Sequence, residues 1–153
     1  MTDHIKIDIK DGIQKLTIFR AEKKNALTQE MYATLSDSLN AAETNPDIRV
    51  SVITGTADSF TSGNDLMDFL QNPAQNEETP VIRFLHSLAN IRKPLIAAVN
   101  GLAVGVGTTM LLHCDLVYAS TDASFSLPFV NLALVPEAAS SYLLPKMLGH
   151  QRA

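Results

Sequence analysis

Ile5, Ile7 and Ile9 alternate with Lys6, Asp8 and Lys10. Alternation with period two predicts a strand with one buried face. Asp11-Gly12 follows, a strong short-range hairpin signal, and IQKLTIF (13–19) predicts the returning strand. The period then changes. Met31, Leu35, Leu39 and Ala42 recur at helical spacing behind Thr28, a suitable N-cap, until Asn45-Pro46 stops the helix. RVSVITG (49–55) predicts a buried strand, and QNPAQNEET (71–79) a polar loop. A helix is predicted from about Pro80 to Ile91, then a strand at LIAAVN (95–100), a helix at VGTTMLLH (106–113) and a strand at DLVYAS (115–120). SSYLLPKMLGHQRA (140–153) predicts a helix with no stop signal after its last turn, so the chain is expected to be a fragment. Strands alternating with helices indicate an α/β protein with a largely parallel sheet.

Composition narrows the class. The chain has 153 residues, 46% hydrophobic and 18% charged, which fits one globular domain over 1–153. Residues 94–114 lack formal charge and approach the length of a membrane span, but Pro94, Asn100 and three glycines favour a buried strand, a turn and a buried helix. No membrane association is expected. No basic-then-apolar leader opens the chain. The net charge of −4 is interspersed, with no basic stripe for nucleic acid. Cys114 is the only cysteine, which excludes an internal disulfide and favours a reducing compartment, with cytoplasm as the default. The four histidines are scattered and none has a zinc-type neighbour, so no metal is expected.

Two loops rich in small residues follow predicted strands: FTSGNDL (60–66) and NGLAVGVG (100–107). Such loops can aim two backbone N–H groups at one oxygen, an oxyanion hole. They can equally serve as tight turns. Gly105-Val106-Gly107 lacks the third glycine of a dinucleotide fingerprint and is not a P-loop. Glu137 is the only formally charged residue between Asp122 and Lys146. Burying a carboxylate unpaired is costly. Either Glu137 stands in the first turn of a helix after Pro136, favoured by the helix dipole, or it faces a pocket where a proton has work to do.

AEKKNAL (21–27), SFTSGNDL (59–66), PLIAAVNGLAVGVG (94–107), CDLVYAS (114–120) and PEAASSYLLPKMLG (136–149) resemble the enoyl-CoA hydratase/isomerase superfamily, the crotonases. Five motifs stand in the family's order, and the resemblance runs from the first hairpin to the last residue. The resemblance implies a crotonase-like spiral of ββα units, truncated at its C-terminus, that binds acyl-coenzyme A. Full-length relatives continue into helices that close the acyl pocket and build trimers or dimers of trimers. Carried over residue by residue, the resemblance implies that the backbone N–H groups of Ser62 and Val106 hold the thioester oxygen. Ser62, Gly63, Asn64, Asp65 and Leu66 would line the substrate channel with Gly105, although Asp65 suits the cap of a following helix. EKKNAL would lie along the coenzyme A nucleotide, with Ala26 beside it and Lys23 or Lys24 near a phosphate; alternatively the two lysines form a solvated turn.

The resemblance also sorts the acids. Hydratases of the family carry glutamates where this chain has Thr109 and Phe129. Glu137 stands where a branch of Δ3,Δ2-enoyl-CoA isomerases carries its only catalytic acid. The implied activity is isomerisation of 3-enoyl-CoA to 2-trans-enoyl-CoA, with no cofactor beyond the coenzyme A of the substrate. The rival readings are another crotonase activity such as hydration, and a non-catalytic acyl-CoA-binding or oligomer-forming module.

Overall fold

The structure, a computed structural model, describes residues 2–153. It opens with the predicted hairpin, β1 (Ile5–Lys10) and β2 (Ile13–Ile18). Asp11 and Gly12 both take positive φ (54° and 82°), the conformation that matches a two-residue turn to strand twist. α1 (Gln29–Thr44) starts at Thr28, whose side chain accepts from the Met31 N–H. Its buried face carries Met31, Tyr32, Leu35, Leu39 and Ala42. β3 (Val50–Thr54) and β4 (Ser59–Thr61) follow, then α2 (Leu66–Gln71) and α3 (Pro80–Asn90). Pro80 sits at the start of α3, where a missing N–H costs nothing. β5 (Leu95–Val99) and β6 (Leu102–Val104) lead into α4 (Val106–Thr109), which tightens to a 3₁₀ turn over Met110–His113. β7 (Leu116–Ala119), β8 (Ser124–Ser126) and α5 (Ser140–Leu148) complete the chain order.

The strands form two sheets. β1-β2-β3-β5-β7 make the larger, parallel beyond the first hairpin, and β4-β6-β8 make a smaller parallel one. Beyond the hairpin, the pairs β3/β4, β5/β6 and β7/β8 each give one strand to each sheet, the spiral of ββα units expected of a crotonase fold. The core lies between the larger sheet and α1 and α3, with Leu16, Ile18, Leu35, Ile53, Phe84 and Leu95 fully buried or nearly so. The strands of the smaller sheet were not foreseen. Each has three residues, too few to show a period.

In the C-terminal stretch one expectation is corrected and one of two alternatives falls away. α5 does stop, at Leu148, where Gly149 takes φ 79° and its N–H bonds Pro145 O at 2.8 Å. Glycine relieves the Cβ clash of that conformation. Glu137 is not in the first helical turn, because Ala138 and Ala139 take positive φ and delay the helix to Ser140. β7 and β8 are exposed throughout, as are Val130, Leu132, Val135, Tyr142 and Met147. Among the described residues, no helix is long and apolar enough to cross a membrane.

Lys93 closes the end of α1. Its ammonium donates to Ala42 O and Asn45 O at 2.6 Å and to Ile48 O at 2.7 Å. A charged donor at helix-end carbonyls complements both the unpaired acceptors and the dipole. Lys93→Met removes all three bonds while keeping most of the stem. We expect a loss of about 2 kcal/mol, read in urea as a lower midpoint at constant slope. An unchanged midpoint would mean that water replaces the ammonium at little cost.

Candidate active site

The smaller sheet positions the two glycine loops. β4 and β6 run parallel, and Thr61 pairs with Ala103. Asn64 and Val106 lie at the same offset beyond those paired residues, so the two loops leave the sheet side by side. They touch through small residues. A Cβ on Gly63 (φ 90°) would stand 2.9 Å from Val104 O, and one on Gly107 would stand 2.6 Å from Thr61 Cγ2. Larger residues at either point would push the loops apart.

The backbone donors of these loops fall into two classes. The Ser62 N–H bonds Lys24 O at 3.0 Å, and the Gly63 N–H bonds Thr61 Oγ1 at 3.1 Å. The N–H groups of Asn64 and Val106 have no protein acceptor among the described residues. Val106 opens α4, and the first N–H groups of a helix have no partner within it. The expectation for Ser62 is therefore corrected: its N–H is engaged, and the free donor of that loop is Asn64. Val106 needs no left-handed backbone, because the positive φ falls on Gly105 (56°).

Asn64 is held from behind. The Tyr32 hydroxyl donates to Asn64 Oδ1, and the Tyr32 side chain is buried. Asp65 accepts from the N–H groups of Met67 and Asp68, the predicted cap of α2. Its other oxygen takes a 2.7 Å bond from Arg20, which also reaches Ala26 O at 3.1 Å. The Arg20 guanidinium, with the Asp68 N–H, holds the Asp65 carboxyl below its usual range. Arg20 and Tyr32 were not singled out in the sequence. Each acts across more than 30 positions of chain, so no local pattern points to it.

A cavity of about 490 Å³ opens against both loops. Lys23, Ala26, Ser62, Gly63, Asn64, Asp65, Leu66, Gly105, Val106 and Glu137 all line it. Lys24 does not; its ammonium lies 2.5 Å from Asp58 Oδ2. The rest of the wall is largely apolar, with Met67, Phe69, Phe129, Leu132 and Leu134. A larger cavity of about 570 Å³ lies between the hairpin and α1, away from every site residue predicted from sequence. There Gln14 bonds Ser38 O and Ser51, and Asp37 pairs with Arg83.

Glu137 sits on the turn before α5. His113 Nε2 donates to Ala138 O at 2.9 Å and the Ser140 N–H to Glu137 O at 2.9 Å, which fix that turn. The Glu137 carboxylate has no cationic partner among the described residues. Thr109 Oγ1 lies 3.1 Å from its Oε1. Burial raises the Glu137 pKa, and the Thr109 hydrogen bond works against that rise. Tyr32 is also pushed well above its usual range, chiefly by burial and further by the charge of Glu137. The same cavity is thus lined by a carboxylate whose pKa burial raises and by the two residues whose backbone N–H groups are free, a combination able to stabilise a developing oxyanion.

Comparison with known proteins gives the arrangement a family context. A family model described as enoyl-CoA hydratase/isomerase matches residues 8–153. The chain is 43% identical over 148 residues to enoyl-CoA delta isomerase 2 of Rattus norvegicus, covering 93% of this chain and 38% of that protein. It is 38% identical over 155 residues to the peroxisomal enoyl-CoA delta isomerase 3 of Mus musculus, covering 97% of this chain and 49% of that one. Among solved structures, OdaA of Pseudomonas aeruginosa matches with a TM-score of 0.94 and 48% identity, covering 99% of this chain and 61% of that chain. The chain therefore spans about half, or less, of the length of these curated relatives.

Proposed function

The chain belongs to the enoyl-CoA hydratase/isomerase family, and from that premise we propose that the protein moves the double bond of a 3-enoyl-CoA to the 2-trans position. One observation carries the reading. Among the described residues, Glu137 is the one cavity-lining carboxylate with no ion pair, whereas Asp65 is tied to Arg20 and the start of α2. The similarity to two delta isomerases supports the same activity.

In this mechanism the thioester oxygen accepts from the N–H groups of Asn64 and Val106. Glu137 takes a proton from C2, and the electrons pass to that oxygen to form a dienolate. The two donors are stronger partners for the oxyanion than for the neutral carbonyl, which is the condition for lowering the barrier. Glu137 then returns its proton to C4. The proton count closes on one carboxylate, so the step calls for no co-reactant. Coenzyme A arrives as part of the substrate, with Lys23 exposed at the cavity near its phosphates. Leu66, Met67, Phe69 and Leu132 offer an apolar wall to the acyl chain. Glu137→Gln is the decisive test, argued in full below.

Hydration is the rival within the family. Adding water calls for groups that hold and activate it. Thr109 is buried with its hydroxyl directed to Glu137, and Phe129 is buried and apolar. We expect crotonyl-CoA to stay essentially unhydrated in the native-length protein, followed as retention of the conjugated thioester absorbance. Water addition at the rate of isomerisation would overturn the assignment of the acids.

A further inference from the structure

Thr109 occupies the position where hydratases of the family carry a glutamate, and by sequence it counts only as a lost acid. The structure gives the position a different task. We propose that Thr109 is a positioning residue for the Glu137 carboxylate, serving both protonation states of the shuttle. This inference rests on the isomerase reading of Glu137.

Three observations carry it. Thr109 is fully buried, so its hydroxyl cannot turn to bulk water. A buried hydroxyl proton needs an acceptor. Among the described residues, two acceptors lie within reach: Glu137 Oε1 at 3.1 Å and Val106 O at 3.5 Å. The first is shorter and charge-assisted, and so the stronger when Glu137 is ionised. The bond fixes Oε1 and leaves Oε2, which has no hydrogen bond among the described residues, to meet the substrate.

The chemistry follows from what a hydroxyl can do. It donates one proton and accepts through two lone pairs. While Glu137 is a carboxylate, Thr109 donates to Oε1. Once Oε2 has taken the C2 proton, Oε1 is a carbonyl oxygen and still accepts the same bond. If the acid proton sits on Oε1 instead, Thr109 turns its own proton to Val106 O and accepts. Either arrangement keeps the carboxyl group in one orientation through both half-steps. The partner also sits on the helix that opens with Val106, so the group that anchors the base and one oxyanion donor share one short element.

Other groups face Glu137. Tyr32 approaches from α1, with its hydroxyl on Asn64 Oδ1. His113 bonds the neighbouring Ala138 carbonyl. Lys23 and Asp65 line the same cavity, Asp65 being paired with Arg20. None of these donates a hydrogen bond to the Glu137 carboxylate.

The test compares Thr109→Val, Thr109→Ser and Glu137→Gln in the native-length protein. Valine keeps the shape and deletes the hydroxyl; serine keeps the hydroxyl. For Thr109→Val we expect kcat to fall about 10- to 100-fold, the scale of a misplaced catalytic group, with KM within a few-fold. The acid limb of kcat/KM should move to higher pH, because the lost bond favoured the ionised carboxylate. Thr109→Ser should restore both readouts, which a merely structural role for the side chain would not require. An unchanged kcat and an unchanged acid limb in Thr109→Val, with Glu137→Gln inactive, overturn the inference and leave the isomerase reading standing. An active Glu137→Gln overturns both.

Discussion

Replacing Glu137 with glutamine is expected to abolish isomerisation in the native-length protein while leaving acyl-CoA affinity within a few-fold. Glutamine keeps the shape of the side chain and an oxygen for Thr109 to donate to, so the pocket is preserved. What disappears is the ability to hold a proton between C2 and C4. Positioned acid–base groups contribute about 10²–10⁴-fold, and a group that both removes and returns the proton belongs at the upper end. Affinity should survive because the thioester oxygen, the acyl chain and the nucleotide meet other parts of the site. The two quantities are measured separately, turnover by the appearance of the conjugated thioester and affinity by titration with a saturated acyl-CoA. The pH dependence has a defined sign. Burial lifts the Glu137 pKa above the ordinary glutamate range, and only the ionised form can take the C2 proton. Activity should therefore fall as pH drops through that raised value and be retained above it. Turnover near wild type in the glutamine variant would sink the mechanism.

Much of this arrangement was legible in the sequence because it is written in local patterns. The Asp11-Gly12 turn, the Thr28 cap, the α1 stripe and the buried strand at 95–99 depend on neighbours a few residues apart. So does the Asp65 cap of α2. What was not legible depends on pairing between distant segments. The offset that sets Asn64 beside Val106 exists only because β4 pairs with β6, and three-residue strands carry no periodic signal. Without that pairing, Ser62 looks as eligible a donor as Asn64. The bond from the Ser62 N–H to Lys24 O decides between them, and it too joins remote positions. The choice between the two places open to Glu137 was illegible for a different reason. Two alanines in the left-handed conformation break the helix start, a backbone state that L-residues adopt at a cost and that composition does not announce. Thr109 shows the same limit. Its hydroxyl acquires a role only from a carboxylate that the fold brings back to it from 28 positions along the chain.

The oxyanion hole can be tested at Val106 with unusual structural economy. The proposed donor is a backbone N–H, so side-chain truncation alone says little about it. Proline deletes the N–H, and in most places it also breaks the local structure. At Val106 it should not. The residue is the first of α4, a position that proline favours because that N–H has no partner within the helix. Gly105 precedes it at φ 56°, ψ −118°, and with no Cβ it escapes much of the clash that proline imposes on its predecessor. Val106→Pro should therefore fold, as checked by circular dichroism and thermal melting. Losing one oxyanion donor costs roughly 10²–10³ in kcat, about 2.7–4 kcal/mol of transition-state stabilisation. Val106 is also a buried side chain, so part of any loss could come from packing. Val106→Ala separates the two effects, because it removes more of the side chain than proline does and keeps the N–H. The expected pair is a stability loss with near-normal kcat for alanine, against a near-normal melt with a severe kcat loss for proline. Substrate binding should change far less than kcat in Val106→Pro, since the donor matters most when charge reaches the oxygen. If both variants lose kcat equally, packing around Val106 is what the reaction needs, and the second oxyanion donor has to be sought elsewhere on the loop.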